Sequence, residues 1–125
     1  MNYQNHPMKI SYRNKKDEKL CNNTKTAIKK MGKEVAYKLA DLLNLIESFP
    51  NLKSLWGMPQ YRLHALKGNR QHQYSLVISK SSGWRLIVYP LDEDGNFLKA
   101  GNKEMEMLAK AVNVEIVEVS NHYEE

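Results

Sequence analysis

Residues 73 to 91, QYSLVISKSSGWRLIVYPL, decide the fold class of this chain. Two runs rich in β-branched and aromatic residues, 73 to 79 and 84 to 91, flank a Ser-Ser-Gly turn. Such runs joined by a short turn predict two antiparallel strands. The preceding residues 61 to 66 predict a third strand, with a turn at residues 67 to 69, so we expect an antiparallel meander at the centre of the chain.

The residues before the meander predict a strand and two helices. Residues 8 to 13, MKISYR, alternate apolar and polar side chains, as a short strand does. A first helix is expected over residues 16 to 31, with Gly32 as its C-terminal cap. A second helix should run to Phe49, because Pro50 stops it. Its apolar residues recur every three or four positions, at Val35, Leu39, Leu42, Leu43 and Ile46.

The residues after the meander predict an insertion and a last strand. DEDGN, at residues 92 to 96, is a turn cluster, and a short helix is expected before residue 111. VNVEIVEVS, at residues 112 to 120, predicts the final strand. The expected fold class is α+β, with an N-terminal helical hairpin packed on a four- to five-stranded, mainly antiparallel sheet. We call residues 92 to 111, between the third meander strand and the last strand, the insertion.

Length and composition indicate one cytoplasmic domain. A chain of 125 residues, 42% of them hydrophobic, closes a single core, so we expect one domain over residues 1 to 125. The sequence leaves open whether residues 1 to 7 are ordered. The single cysteine, Cys21, excludes an internal disulfide and cysteine-based zinc sites. The polar first residues lack the apolar region that a signal peptide has, and no apolar run approaches the ~20 residues needed to cross a bilayer, so no membrane partner is expected.

Charge is unevenly distributed along the chain. The net charge is +5, and residues 57 to 90 carry five Lys or Arg residues but no Asp or Glu. A potential of one sign over neighbouring strands attracts a polyanion, and phosphates are the common polyanions of the cytoplasm. For the lysine-rich first 56 residues, a purely solubilising role is an equal alternative. For the acid-free middle, we favour a binding function.

YRLHALKGNRQHQYSL, at residues 61 to 76, places a histidine among cations. In an extended strand, Arg62 and His64 would share one face. The further cations are Lys67 and Arg70, in or beside the following turn, and Arg85, on the third strand of the meander. Such a set suits RNA cleavage without a metal ion, in which a base takes the proton of the 2′-hydroxyl and cations stabilise the charge that develops at phosphorus. Imidazole serves as acid or base near neutral pH.

The second acid or base is expected near the chain end. His122, with Tyr123 beside it, follows the last strand, which would bring it to the same surface. Trp84 and Tyr74 are candidates for stacking on a nucleobase, although large aromatic residues in strands are more often part of a core.

The histidines and the acidic turn have other interpretations. His64 is equally compatible with a surface histidine, and His6 and His72 have no partner at metal-ligand spacing. DEDGN is not a calcium loop, because Gly95 is at the fourth rather than the sixth position and no glutamate occupies the twelfth. We therefore predict no metal site and no cofactor.

The central stretch resembles the HigB-type toxins of the RelE/ParE superfamily. Residues 62 to 75 match the family pattern R-x-H-x-L-K-G-x-R-x-x-x-[WYF]-S, and residues 84 to 88 match [YW]-R-[LI]-x-[FV]. The resemblance covers roughly residues 8 to 123 and implies a RelE-like fold. It also implies a toxin of a toxin–antitoxin pair, an endoribonuclease that cuts mRNA in the ribosomal A site, with contacts to 16S rRNA, and that a HigA-like helix-turn-helix antitoxin neutralises.

By position, the resemblance implies roles for several residues of this chain. His64 and Lys67 match the catalytic His and Lys of the family. The positions near the RNA phosphates are Arg62, Arg70 and Arg85, with Trp84 beside them. At the end, the family has Asp-Tyr-His where this chain has Asn121-His122-Tyr123. In an extended segment this exchange sends His and Tyr each to the face opposite to the one it has in the family, so either His122 or Tyr123 is expected to be the second acid or base.

Two alternatives to the endoribonuclease remain open. Relatives of the ParE type inhibit DNA gyrase without cutting RNA, and a degenerate relative would bind RNA without cutting it. The pattern from His64 to Arg70 argues against the gyrase inhibitor, because that function needs no acid or base.

Overall fold

A five-stranded sheet forms the centre of the protein, whose computed structural model describes residues 7–99 and 101–121. The strands are β1 (Lys9–Tyr12), β2 (His64–Ala65), β3 (Tyr74–Ser79), β4 (Trp84–Leu91) and β5 (Asn113–Ser120). Their order is β1-β5-β4-β3-β2, with β1 parallel to β5 and the other neighbours antiparallel. The predicted α+β class and mainly antiparallel sheet are confirmed. Apart from Pro7, the open question about residues 1 to 7 lies outside the described residues.

The strand predicted over residues 61 to 66 is reduced to the two residues of β2. Pro59 begins a 3-10 turn, Pro59–Tyr61, because proline fixes φ and has no N–H to offer a neighbouring strand. The N–H of Arg62 donates to the carbonyl of Pro59 at 3.1 Å, and Arg62 itself is left-handed, with a φ of +46°. The chain therefore becomes extended only after Arg62.

Five helices lie within the described residues. They are α1 (Lys15–Asn22), α2 (Thr24–Met31), α3 (Lys33–Ser48), α4 (Lys53–Trp56) and α5 (Glu104–Lys110). The predicted hairpin is present as α2 and α3, which are in contact with each other and joined at Gly32. Gly32 has a φ of +89°, a conformation that favours glycine, and its N–H closes α2 on the carbonyl of Ile28 at 2.8 Å.

The single helix predicted over residues 16 to 31 is wrong, because Asn23 divides it into α1 and α2. Asn23 has an extended backbone, with φ −131° and ψ 105°. Its N–H donates to the carbonyl of Lys19 at 2.9 Å, and its side-chain oxygen accepts from the N–H of Thr26 at 2.9 Å. Asparagine is a preferred N-cap because its short side chain replaces the missing backbone partner. A single residue that leaves the helix does not change the spacing of the apolar residues, so the apolar pattern does not reveal the break at Asn23.

The helices pack on one face of the sheet. The core there includes Leu39, Leu42, Ile46, Leu76, Leu86 and Ile116, none more than 1% exposed. Because successive strand residues point to opposite faces, the other face, which we call the outer face, carries His64, Ser75, Val77, Arg85, Ile87 and Glu118. Within the described residues, no helix has the length and apolar character needed to cross a bilayer.

The described part of the insertion contains the predicted turn and a short helix, α5. In the turn, Oδ1 of Asp92 accepts from the N–H groups of Asn96 and Asp94, both at 2.9 Å, and these bonds lower the pKa of its carboxyl. In the core, the hydroxyl of Tyr74 donates to Glu104 at the start of α5. Helix α5 is therefore tied to the sheet.

Candidate functional site

His64 begins the edge strand β2 on the outer face. Its Nδ1 atom lies 2.8 Å from the carbonyl oxygen of Arg62. Because a carbonyl oxygen only accepts hydrogen bonds, Nδ1 carries the hydrogen. In the neutral ring, the lone pair is then on Nε2. The turn before β2 thus selects the nitrogen of His64 that is able to accept a proton.

A row of side chains crosses the sheet from His64 to Glu118. His64 is opposite Ser75, Ser75 is opposite Ile87, and Ile87 is opposite Glu118. Directly paired residues project from the same face of a sheet. The row therefore brings to this face a carboxylate, Glu118, that is absent from the predicted site. No local sequence signal marks Glu118, because it lies in a distant acidic segment.

Arg70 reaches the far end of this row. It ends the 3-10 turn Gly68–Arg70, and its Nη2 donates to Oε1 of Glu118, a residue 48 positions away in the sequence. Its Nη1 donates to Oε1 of Gln73 at 3.2 Å. Residues 57 to 90 contain no Asp or Glu. In the folded protein, Arg70 of this stretch is nevertheless paired with the carboxylate of Glu118.

Arg85 lies on the outer face of β4, two residues before Ile87 and so next to the row. It is opposite Val77 on one side and Ser120 on the other. Its Nη1 donates to the carbonyl of Trp84 at 3.1 Å and lies 3.5 Å from the carbonyl oxygen of Ser79. The structure thus brings His64, Arg70 and Arg85 to the same face.

Arg62 and Lys67 flank β2 in the chain. The prediction that Arg62 and His64 share a strand face is wrong, because alternation requires extended residues and Arg62 is left-handed outside the strand. Lys67 precedes the 3-10 turn with an extended backbone. Both side chains are exposed, next to the strand rather than on it.

The two candidate stacking residues lie in the core. Trp84 is 7% exposed and belongs to the cluster beneath the helices, and Tyr74 is fully buried. Burial, and then the hydrogen bond to Glu104, raise the pKa of the Tyr74 hydroxyl well above its usual value. The structure therefore brings neither ring to the outer face.

The predicted second acid or base, His122 or Tyr123, lies outside the described residues. Strand β5 ends at Ser120, opposite Arg85 on the outer face. The assignment of that role stays a prediction.

Ser75, next to His64 in the row, has a buried hydroxyl. The residue is fully buried, and its Oγ has no hydrogen-bond partner within the described part of the chain. A buried unpaired hydroxyl costs free energy, and such groups are uncommon in folded proteins. The row therefore contains a buried polar group, the hydroxyl of Ser75, between His64 and Ile87.

Among the described residues, the candidate site residues lie on or beside one face of the sheet. An open depression of about 470 Å³ lies along the insertion, and residues between Leu98 and Lys110 line it. None of the described site residues takes part in it.

No protein-family model matches the chain, and no curated protein matches it.

Proposed function

We propose that this protein is the toxin of a toxin–antitoxin pair, a ribosome-dependent endoribonuclease that cuts mRNA in the A site without a metal ion. The proposal extends the RelE-like resemblance of residues 62 to 75 and 84 to 88 to the whole chain. It places the action in the cytoplasm, with a HigA-like helix-turn-helix antitoxin as the neutralising partner.

One observation carries the proposal, the joint position of His64, Arg70 and Arg85 on the outer face. A histidine whose Nδ1 is bonded to the backbone presents Nε2 as the base. Two guanidinium groups on the same face suit the non-bridging oxygens of a phosphate, because each supplies several N–H donors in a fixed plane. This combination of a base with phosphate-binding cations is what cleavage through a 2′-hydroxyl requires.

In the proposed reaction, Nε2 of His64 accepts the proton of the 2′-hydroxyl, and the 2′-oxygen forms a bond to the adjacent phosphorus. The bond from phosphorus to the 5′-oxygen breaks, and that oxygen takes a proton from the second group, His122 or Tyr123. The products are a 2′,3′-cyclic phosphate and a 5′-hydroxyl. Arg70 and Arg85, assisted by Lys67 and Arg62, stabilise the charge on the phosphorane.

Induction of the protein in bacterial cells tests the proposal. Growth should stop, and the 5′ ends of the cut mRNA should map to the codon in the A site. His64→Ala should lower the cleavage rate by roughly 10²- to 10⁴-fold, the usual contribution of a general base. Lys67→Ala should also abolish growth arrest, while both variants stay folded and bind the antitoxin. A neighbouring reading frame for a small helix-turn-helix protein would supply that antitoxin.

Matched variants separate the site from its surroundings. His72→Asn changes a histidine outside the proposed site, and asparagine tolerates the φ of +75° at this position. Lys80→Ala changes an exposed lysine just after the C-terminal end of β3. Both should arrest growth as the wild type does. Inhibition of DNA gyrase without cut mRNA would replace the proposal with the ParE-type function. Binding of RNA with a steep salt dependence but no cut product would make the protein a non-cleaving relative.

A further inference from the structure

The ion pair between Arg70 and Glu118 joins the turn after β2 to strand β5. Nη2 of Arg70 donates to Oε1 of Glu118, and Nη1 donates to Oε1 of Gln73 at 3.2 Å. Two nitrogens of the guanidinium group are therefore hydrogen-bonded, one to Glu118 on β5 and the other to Gln73 just before β3. This arrangement restricts the rotation that a long arginine side chain otherwise has.

The pair contributes little to the stability of the fold. The side chains of Arg70 and Glu118 are 40% and 39% exposed. Solvent screens an ion pair of this exposure, and such pairs add little to the free energy of unfolding. Its main effect is then on the orientation of Arg70.

The orientation matters because of where the pair lies. Glu118 ends the row that begins at His64, and three strand spacings of about 4.8 Å place their backbones roughly 14 Å apart. Arg70 enters this row from the turn and meets Glu118 on the outer face. A phosphate bound between His64 and Arg70 would therefore meet a guanidinium whose plane is already set.

We infer that Glu118 is a positioning residue, which holds the guanidinium of Arg70 on the outer face so that it meets the scissile phosphate opposite His64. The inference rests on the proposed function for its substrate class.

A purely electrostatic role for Glu118 predicts the opposite result. A carboxylate close to a bound phosphate repels it, so removing the charge alone should strengthen RNA binding. Removing the support of Arg70 should weaken both binding and cleavage. The two effects are separable because β5 offers a second carboxylate on the same face.

That control is Glu115. It lies opposite Tyr89 on the outer face and is bonded to Arg13 at 2.7 Å instead of Arg70. Glu115→Ala makes the same change in net charge as Glu118→Ala. Glu118→Gln keeps an acceptor oxygen for Arg70, so it should recover part of the loss in binding caused by Glu118→Ala. This recovery distinguishes a lost contact to Arg70 from misfolding of the alanine variant.

Binding is measured with an RNA oligonucleotide that carries a 2′-deoxy sugar at the scissile position and so is not cut. Relative to Glu115→Ala, Glu118→Ala should bind it roughly tenfold more weakly, the scale of one lost hydrogen bond to a charged group. In an Arg70→Ala background, the difference between the two glutamate variants should vanish. Equal binding by both variants, or a difference that persists without Arg70, would overturn the inference.

Cleavage on programmed ribosomes separates this inference from the proposed function. If the wild type cuts mRNA, Glu118→Ala should lower kcat about tenfold relative to Glu115→Ala, and equal kcat values would remove the positioning role while the function stands. If the wild type cuts no RNA but the difference in binding that depends on Arg70 is present, the proposed function fails and the positioning role stands.

Discussion

The imidazole of His64 is bonded through Nδ1 to the carbonyl oxygen of Arg62, at 2.8 Å. The bond depends on the left-handed turn at Arg62, whose φ is +46°. A left-handed residue turns the chain just before β2, so that its carbonyl faces the ring two residues later. The backbone of residue 62, and not its side chain, therefore determines which nitrogen of His64 carries the hydrogen.

This relationship predicts the tautomer of His64. In ¹⁵N NMR spectra of the neutral ring, Nδ1 should be the protonated nitrogen and Nε2 the unprotonated one. Arg62→Gly should keep this tautomer, because glycine adopts the left-handed conformation without strain and retains the carbonyl. A protonated Nε2 in either protein would contradict the geometry and leave His64 without a base at the proposed atom.

The buried hydroxyl of Ser75 makes a prediction about stability. Ser75→Ala removes an oxygen that has no partner within the described residues, so the free energy of unfolding should be unchanged or rise by up to about 1 kcal/mol. Urea denaturation measures this change. A decrease of more than about 1 kcal/mol would mean that the hydroxyl is hydrogen-bonded in solution.

The bond from Tyr74 to Glu104 should stabilise the insertion. Tyr74→Phe removes a hydroxyl that donates to a carboxylate, and we expect a loss of about 1–2 kcal/mol in the free energy of unfolding. In Tyr74→Phe, backbone hydrogen exchange should become faster in α5 by more than it does in β4. Tyr89→Phe is the control, because Tyr89 lies on the outer face with its ring 4.4 Å from that of Phe97, and its effect should stay within about 0.5 kcal/mol.

Stability should fall at alkaline pH. Burial, and then the negative charge of Asp17, raise the pKa of the Cys21 thiol to about 12, and burial raises the pKa of Tyr12 to about 12. Both groups hold their protons more tightly in the folded protein than in the unfolded chain, where they titrate near 9.0 and 10.0. The stabilisation is complete below pH 9 and is lost as the pH rises towards 12.

Urea denaturation between pH 7.5 and 10.5 measures this loss. Cys21→Ala should lose less stability than the wild type over the same interval, since one of the two groups is absent. A free energy of unfolding that does not change with pH over this interval would show that neither group is protected by burial.

Gly32 should be sensitive to substitution because of its backbone alone. A Cβ at Gly32 would meet no atom within 4 Å, but its φ of +89° is unfavourable for alanine. Gly32→Ala should therefore lower the free energy of unfolding by about 1–2 kcal/mol. Gly57→Ala is the control, since Gly57 has a φ of −81° and its Cβ would make an ordinary contact of 3.7 Å with the carbonyl oxygen of Ser54. Equal effects of the two substitutions would contradict this interpretation.

Elements with local signals were predictable from the sequence. The bounds of β4, at Trp84–Leu91, agree with the prediction, and α3 ends at Ser48, just before Pro50. In both cases the periodicity of the apolar residues and the residues that end the element lie within the element or next to it. The break at Asn23 and the turn at residues 59 to 62 were missed, because one capping side chain and one left-handed residue leave the apolar pattern unchanged.

The candidate site was predictable in part. His64, Arg70 and Arg85 were identified from their residue types and spacing, and the structure brings all three to the outer face. The stacking role proposed for Trp84 had no such support, because a strand pattern does not say which face is buried. Glu118 was not identified, since its proximity to Arg70 depends on the register of β3, β4 and β5 together.

The sequence by itself determined the α+β class, helix α3, strand β4 and the residue types of the central motif, because helix periodicity, strand alternation and turn residues act over a few positions. Only the tertiary structure decided that β1 lies parallel to β5 and that Glu118 meets Arg70. Those relationships come from pairing between strands that are distant in the chain, and the burial of the whole sheet face selects that pairing.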